Sequence, residues 1–129
     1  MRLHHVQVSC PPGGEEAARR FYLDALGLVE VAKPPALAGR GGCWFRAYDE
    51  RGGVAAEIHV GVENPNSSAR KAHLALVLDD VPALDRLAAR LRAADHLVDE
   101  TERETFSRHL RFHTADPHGN RLEVLAPVS

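Results

Sequence analysis

Short stretches in which apolar and polar residues alternate recur along the whole chain. Alternation of this kind is typical of β-strands with one buried face. The clearest examples lie at residues 3–9, 54–62, 71–78, 106–114 and 121–125. Residues 43–48 have strand-forming composition, and two shorter stretches, 28–32 and 97–98, could add further strands. The pattern therefore predicts a protein built largely from short strands.

Two other segments carry apolar residues at spacings of three and four, which predicts amphipathic helices. The first covers residues 15–26, with two glutamates in its first turn, where the helix dipole favours acid, and Gly27 just after its end. The second begins after Asp79 or Asp80 and has Pro82 in its first turn. Its apolar stripe consists of Val81, Leu84, Leu87, Ala88 and Leu91.

Segments rich in Gly, Pro, Asx or charged residues separate these elements. They predict a loop at 34–42, a hairpin turn at 49–53, a connector at 64–68 and a solvent-exposed charged turn at 99–104. On either side of the connector the order of elements is the same: one strand, one helix, then three strands.

The two halves also correspond in sequence position. His73 follows His5 by 68 residues in the first strands, and Arg121 follows Glu57 by 64 residues in the last strands. Small differences in loop length between two copies of one unit explain such unequal offsets. We therefore predict an α+β fold of two βαβββ modules, at about residues 1–63 and 70–129, within a single domain spanning residues 1–129.

Polar side chains occupy the inward face of the first and the last strand of each module. The first strands carry His5 and His73 there, and the last strands carry His59 and Glu123 at matching places. Because an unpaired buried charge is costly, Glu123 needs a cation, a hydrogen-bond donor or a proton if its strand lies within a sheet.

Composition and charge narrow the classes of function. With 44% apolar and 26% charged residues and a net charge of −2, the chain has neither a basic field nor an aromatic-basic motif for nucleic acid. No apolar stretch is long enough to span a membrane, and the first residues lack the core of a signal peptide, so we expect a cytoplasmic protein. Cys10 and Cys43 are expected to be free thiols.

Four stretches, in the expected order and spacing, resemble the vicinal oxygen chelate superfamily. They are residues 5–8, 18–28, 73–81 and 116–123. This superfamily includes glyoxalase I, fosfomycin resistance proteins, extradiol dioxygenases and the metal-free bleomycin resistance proteins. The resemblance implies that the two modules form a cleft-shaped mixed sheet with helices on the outside and a divalent metal ion (Zn, Ni, Mn or Fe) at the floor of the cleft.

By the same resemblance, His5, His73 and Glu123 match metal ligands. Two neutral imidazoles and one carboxylate leave positions open on a divalent ion, which neighbouring oxygens of a substrate could fill. For the fourth ligand position, the flanking residues favour His59, with Glu57 two residues away as the alternative.

Three further residues are candidate substrate contacts. Arg111 and His113 share the inward face of one strand, and Arg121 lies beside Glu123. A supporting role around the metal or a solvated position at the rim is an equal alternative for Arg111 and His113. Arg121 could instead simply neutralise an acidic neighbour.

These residues favour glyoxalase-like lyase or isomerase chemistry on a small molecule, in which an enediolate or enolate is stabilised and Glu57, Glu123 or a metal-bound hydroxide acts as the base. An iron-dependent dioxygenase that uses the same ligand types is one alternative. A metal-free binding protein like the bleomycin resistance proteins is another. The resemblance also implies a homodimer, and the modules could pair within one chain or across the dimer.

Overall fold

The computed structural model describes every residue from Met1 to Ser129, and the chain divides into two compact units, Met1–Ser68 and Ala69–Ser129. Each unit contains one mixed β-sheet and its own helices. The predicted α+β class is therefore confirmed. None of the helices combines the length and apolar character needed to cross a bilayer.

The first unit contains a four-stranded sheet in the order β1-β4-β3-β2. Strand β1 runs parallel to β4, whereas β3 is antiparallel to both of its neighbours. The elements in chain order are β1 (Val6–Cys10), α1 (Glu15–Arg19), a π-helical segment (Arg20–Ala25), β2 (Val29–Val31), α2 (Pro35–Ala38), β3 (Cys43–Tyr48) and β4 (Val54–Val62).

The second unit contains a three-stranded sheet in the order β5-β7-β6. Strand β5 runs parallel to β7, and β6 is antiparallel to β7. The elements in chain order are β5 (His73–Val77), α3 (Val81–Ala93), β6 (His109–Ala115) and β7 (Arg121–Pro127).

The strand register repeats between the two units. Val6 lies opposite Ile58 in the first unit, and Leu74 lies opposite Leu122 in the second, which reproduces the offsets of 68 and 64 residues. One residue further along, Gln7 pairs with His59 in the first unit and Ala75 pairs with Glu123 in the second. Equivalent positions on the two sheets therefore carry different chemistry.

In each unit a helix covers one face of the sheet and leaves polar residues on the other. Phe21 and Tyr22 of the π-helical segment are fully buried, and the Tyr22 ring stacks on Phe45 of β3 with 5.3 Å between centroids. In the second unit α3 contacts β6 and β7. Four members of the predicted α3 stripe are buried: Leu84, Leu87, Ala88 and Leu91. The Asp80 side chain accepts a hydrogen bond from the Ala83 amide at 2.7 Å, so the alternative of Asp79 as the cap does not apply.

Four local expectations need correction. The predicted loop at 34–42 contains the helical turn α2, because Pro35 suits the first helical position. The helix predicted over 15–26 changes to π-helical geometry at Arg20. Residues 97–98 form no strand; only a single bridge joins Asp99 to His113. The turn at 99–104 is not simply solvated, because Glu100 accepts hydrogen bonds from two arginines.

Candidate functional site

In the second unit, the parallel pairing of β5 and β7 brings His73 to Glu123. His73 Nε2 lies 3.1 Å from Glu123 Oε2, and His73 Nδ1 lies 2.9 Å from the Lys71 carbonyl oxygen. Both ring nitrogens therefore face hydrogen-bond acceptors, yet a neutral imidazole has only one N–H to donate. Either the ring carries two protons or a cation takes the place of the proton at Nε2. A backbone carbonyl at the far nitrogen is also how metal-binding histidines are commonly oriented.

Strand β6 adds a second histidine to this group. His113 lies opposite Glu123 in the register, and its Nε2 is 3.9 Å from Glu123 Oε2. One ligand atom from each of His73, His113 and Glu123 lies within 4.8 Å of the others. Two imidazoles and one carboxylate form a donor set that fits zinc, nickel, manganese or iron.

Arg111 fixes the other oxygen of the same carboxylate. Its Nη1 donates to Glu123 Oε1 at 3.0 Å, while Nε and Nη2 donate to the Glu102 carbonyl and the Thr105 hydroxyl. Burial alone would raise the pKa of Glu123, but the hydrogen bonds from Arg111 and His73 outweigh it and hold this pKa below its usual value. The carboxylate is thus ionised at neutral pH, with Oε1 held by Arg111 and Oε2 facing the two histidines.

Arg121 affects the charge of His113 without contacting the Glu123 carboxylate. No ion pair or hydrogen bond joins Arg121 to Glu123, although the two residues are neighbours along β7. Burial lowers the pKa of His113, and the positive charge of Arg121 lowers it further. His113 is therefore kept in the neutral form that binds metal ions.

In the first unit, His59 is held in an aromatic stack. It is 4% exposed, its ring lies parallel to that of Trp44 with 3.8 Å between centroids, and His5 stacks on the ring at 4.0 Å. His59 Nε2 lies 2.8 Å from Glu57 Oε2. Burial lowers the pKa of His59, although Glu57 opposes this effect. The ring thus presents an N–H to the Glu57 carboxylate rather than a free lone pair at that nitrogen.

Glu57 is the buried charge of this second group. Arg46 Nε donates a hydrogen bond to Oε1, and His4 Nδ1 lies 3.8 Å from Oε2. Burial would raise the pKa of Glu57, but the hydrogen bonds from Arg46 and His59 lower it below its usual value. Ligand atoms of His4, His5 and Glu57 lie within 4.8 Å of one another, so these three could also hold a cation.

The structure thus brings the predicted residues together within two separate groups. His5, His59 and Glu57 belong to the first unit, and His73, Glu123, Arg111 and His113 belong to the second. Sequence reasoning did not select His4 as a functional residue or His113 as a ligand. The register of β6 against β7 would have been the signal for His113. His4 and His5 both lie just before β1, although alternation predicted a strand from residue 3 onward.

Comparisons with known proteins place this geometry in context. The family model described as the Glyoxalase/Bleomycin resistance protein/Dioxygenase superfamily matches residues 2–124. A solved structure of a protein from Bacillus anthracis, assigned to the glyoxalase family, is 34% identical over 99% of this chain and 100% of that chain, with a TM-score of 0.83. Comparison with curated protein sequences gave no match.

Two further solved structures illustrate the range of activities on this fold. TnmS3, an antibiotic binding protein from Streptomyces sp. CB03234, is 25% identical over 99% of both chains, with a TM-score of 0.67. A lactoylglutathione lyase from Agrobacterium tumefaciens has a TM-score of 0.65 at 20% identity, over 95% of this chain and 92% of that chain. The second likeness concerns the fold alone.

Proposed function

Because this chain belongs to the Glyoxalase/Bleomycin resistance protein/Dioxygenase superfamily, we propose that it binds a divalent metal ion and acts as a glyoxalase-like lyase or isomerase. Its substrate is a small molecule with two neighbouring oxygens. One observation carries the proposal: the imidazole of His73 faces acceptors at both nitrogens, one of them the buried carboxylate of Glu123. A divalent cation at Nε2 resolves this arrangement without a second proton on the ring.

The proposed ligands begin with His73 and Glu123, and His113 is the third candidate within the same unit. In the first unit, His5 remains a proposed ligand, together with either His59 or Glu57. The hydrogen bond between His59 Nε2 and Glu57 Oε2 occupies one ligand atom of each residue, so both remain candidates for this position.

When bound, a divalent metal ion supplies Lewis acidity that stabilises negative charge on substrate oxygens. The protein's own residues would orient the substrate and move the proton. Glu57 would accept it at Oε2, while the hydrogen bond from Arg46 keeps Oε1 in place. Glu123 is the alternative base. Arg111 and Arg121 add positive charge beside the second group, which favours an anionic transition state.

Two other functions have specific support. The 25% identity to the antibiotic binding protein TnmS3 favours a protein that binds a small molecule without turning it over. The set of two histidines and one carboxylate favours an iron-dependent dioxygenase. Metal content distinguishes these alternatives from each other and from the lyase.

The test is metal analysis of tag-free protein by plasma mass spectrometry. We expect about one equivalent of metal per chain, lost in a His73→Ala/Glu123→Ala variant and kept in a His109→Ala/Glu104→Ala variant, which removes the same residue types outside the site. Zinc or nickel would support the lyase, and iron the dioxygenase. Absence of metal after reloading with Zn²⁺, Ni²⁺, Mn²⁺ and Fe²⁺ would overturn the proposal and favour the binding protein. The same measurement on His5→Ala reports whether His5 is a ligand.

We also propose that the protein works as a homodimer in the reducing cytoplasm. Cys10 and Cys43 are both buried and form no disulfide, and burial raises the pKa of Cys43 to about 11, which keeps it protonated. Light scattering coupled to size-exclusion chromatography tests the dimer: a mass near 14.1 kDa would contradict it.

A further inference from the structure

The first unit contains a cavity of about 210 Å³ that the proposed chemistry does not use. It is smaller than the roughly 300–1,000 Å³ of pockets that hold whole drug-sized ligands, so it suits one substituent of a ligand. The residues that line the cavity include two cations, an amide, a tryptophan and two glycines: Lys33, Arg40, Gln7, Trp44, Gly41 and Gly61.

The charged side chains that line the cavity are both cations. Lys33 Nζ donates a hydrogen bond to the Gly41 carbonyl, which holds the ammonium in place and leaves two of its donors for a ligand. Arg40 forms no ion pair, so its guanidinium is available to bind an anion. The Glu15 carboxylate lies near Gly41, but it does not line the cavity and forms no ion pair with either cation.

Glycines build the backbone that shapes the cavity. Gly42 has a φ of +83°, and a Cβ there would collide with the Val60 carbonyl oxygen, so only glycine lets the loop close on β4. A Cβ at Gly61 would lie 2.8 Å from Gln7 Nε2. The missing side chain therefore leaves room for the Gln7 amide, a third hydrogen-bonding group in the wall.

Trp44 connects this cavity to the Glu57–His59 group. Its ring lines the cavity and also stacks on His59, with 3.8 Å between ring centroids. Gln7 lies opposite His59 in the strand register, on the same face of the sheet. A ligand whose one end occupies the cavity would thus lie beside the proposed catalytic base.

We propose that this cavity binds the anionic group, a carboxylate or a phosphate, of a small ligand whose flat or apolar part contacts Trp44. Two cations and an amide provide the donors, and no carboxylate in the lining repels the anion. The anion site itself does not depend on the proposed lyase activity. Only the statement that its ligand is the substrate rests on that proposed function. The cavity then selects anionic substrates from among molecules with neighbouring oxygens.

The experiment uses the fluorescence of Trp44, which is the only tryptophan in the chain. Metal-free protein is titrated with benzoate, with phenyl phosphate and with neutral benzamide, at low and high ionic strength. We expect saturable quenching by at least one of the two anions, weakened by salt, and none by benzamide. The anion that binds more tightly identifies the preferred group.

Arg40→Gln and Lys33→Gln should each weaken binding about tenfold, the usual effect of losing a hydrogen bond to a charged group. Arg51→Gln is the matched control, because it removes one exposed cation of the same unit outside the cavity. Arg40 is the sharper variant, since its side chain holds no part of the loop. Absence of binding by both anions, equal binding of benzamide, or equal affinity in Arg40→Gln and wild type would overturn the proposal.

Failure of the proposed function would be separately visible. If the wild-type protein bound none of the four metal ions after reloading but still bound the anion, and Arg40→Gln weakened that binding, the cavity proposal would stand and only its link to the lyase would fail. Metal binding without any anion binding would reject the cavity proposal alone.

Discussion

The two units have the same strand register but place different side chains at equivalent positions. Where the second unit has Glu123 the first has His59, and where the first has Glu57 the second has Arg121. The last strand of each unit therefore has one buried carboxylate, but the two carboxylates stand two residues apart in the repeat.

This displacement changes what each carboxylate contacts. Glu123 has one oxygen held by Arg111 and the other facing His73 and His113, so it can share a cation with two imidazoles. Both oxygens of Glu57 also accept hydrogen bonds, from Arg46 and His59. However, His59 is stacked between Trp44 and His5 and is not one of the residues whose ligand atoms lie together in that unit. With the same register, the histidine bonded to the carboxylate thus belongs to the candidate metal-binding group in the second unit, whereas in the first unit it lies outside that group and leaves Glu57 as the proposed base.

The largest expected effect follows from Glu123→Gln. An amide cannot provide the anionic ligand, so we expect metal affinity to fall by about 100-fold or more, the upper end of the range for supporting residues of a metal site. Glu102→Gln, which alters a more exposed carboxylate that also faces Arg111, should leave metal affinity unchanged. Competition with a chromogenic chelator measures both. Equal affinity in the two variants would break the proposed contrast between the units.

The lowered pKa values of Glu57 and Glu123 lead us to expect the same pH dependence of stability for both residues in metal-free protein. Their pKa values are lowered on folding, so each contributes stability above its unfolded pKa, near 4.5, and this stability is lost as pH falls through the lower folded pKa. Glu57→Gln and Glu123→Gln should each cost about 1–3 kcal/mol at pH 7. The cost should shrink steadily below about pH 4.5.

Urea unfolding of the wild type and the two variants at pH 7, 5, 4 and 3 provides the measurement. A cost that stayed constant down to pH 3 would show that packing, rather than the charge, stabilises the wild-type protein. If only one variant lost free energy of unfolding at pH 7, only that unit would be stabilised by its ionised carboxylate.

His59→Phe separates the two possible roles of His59. Phenylalanine keeps a flat ring between Trp44 and His5 but removes the hydrogen bond to Glu57. We expect the free energy of unfolding to fall by about 1 kcal/mol and metal content to stay at the wild-type level. Loss of metal in this variant, with His96→Phe as the control, would instead identify His59 as a ligand.

Much of the fold could be predicted from the sequence because its strongest signals are local. Strands β3 and β4 have the predicted bounds, since each is a continuous run between turn residues. The strand predicted at residues 97–98 was wrong because two residues are too few for alternation to be informative. The helical turn α2 was missed because its Pro and Gly neighbours also suit a loop.

The alternation of polar and apolar residues could predict only which face of a strand each candidate site residue occupies. It assigned His5, His59 and Glu123 to sheet faces, but it could not say which side chains meet. The contact of His113 with Glu123 depends on how β6 aligns with β7, and the bond from Arg46 to Glu57 depends on β3 against β4. Such registers are fixed by the whole sheet rather than by one strand.

The smallest expected effect tests the position at which Arg121 replaces Glu57. The charge of Arg121 is one of the causes that lower the pKa of His113, after burial. Arg121→Gln should therefore raise the pKa of His113 in metal-free protein, because it removes the largest of the nearby charges that lower this pKa, while burial remains. NMR titration of the His113 ring provides the measurement, with Arg108→Gln as the control. An unchanged pKa would mean that burial and the other nearby charges keep His113 neutral without Arg121. The exchange of Glu57 for Arg121 between the units would then have no electrostatic consequence for this histidine.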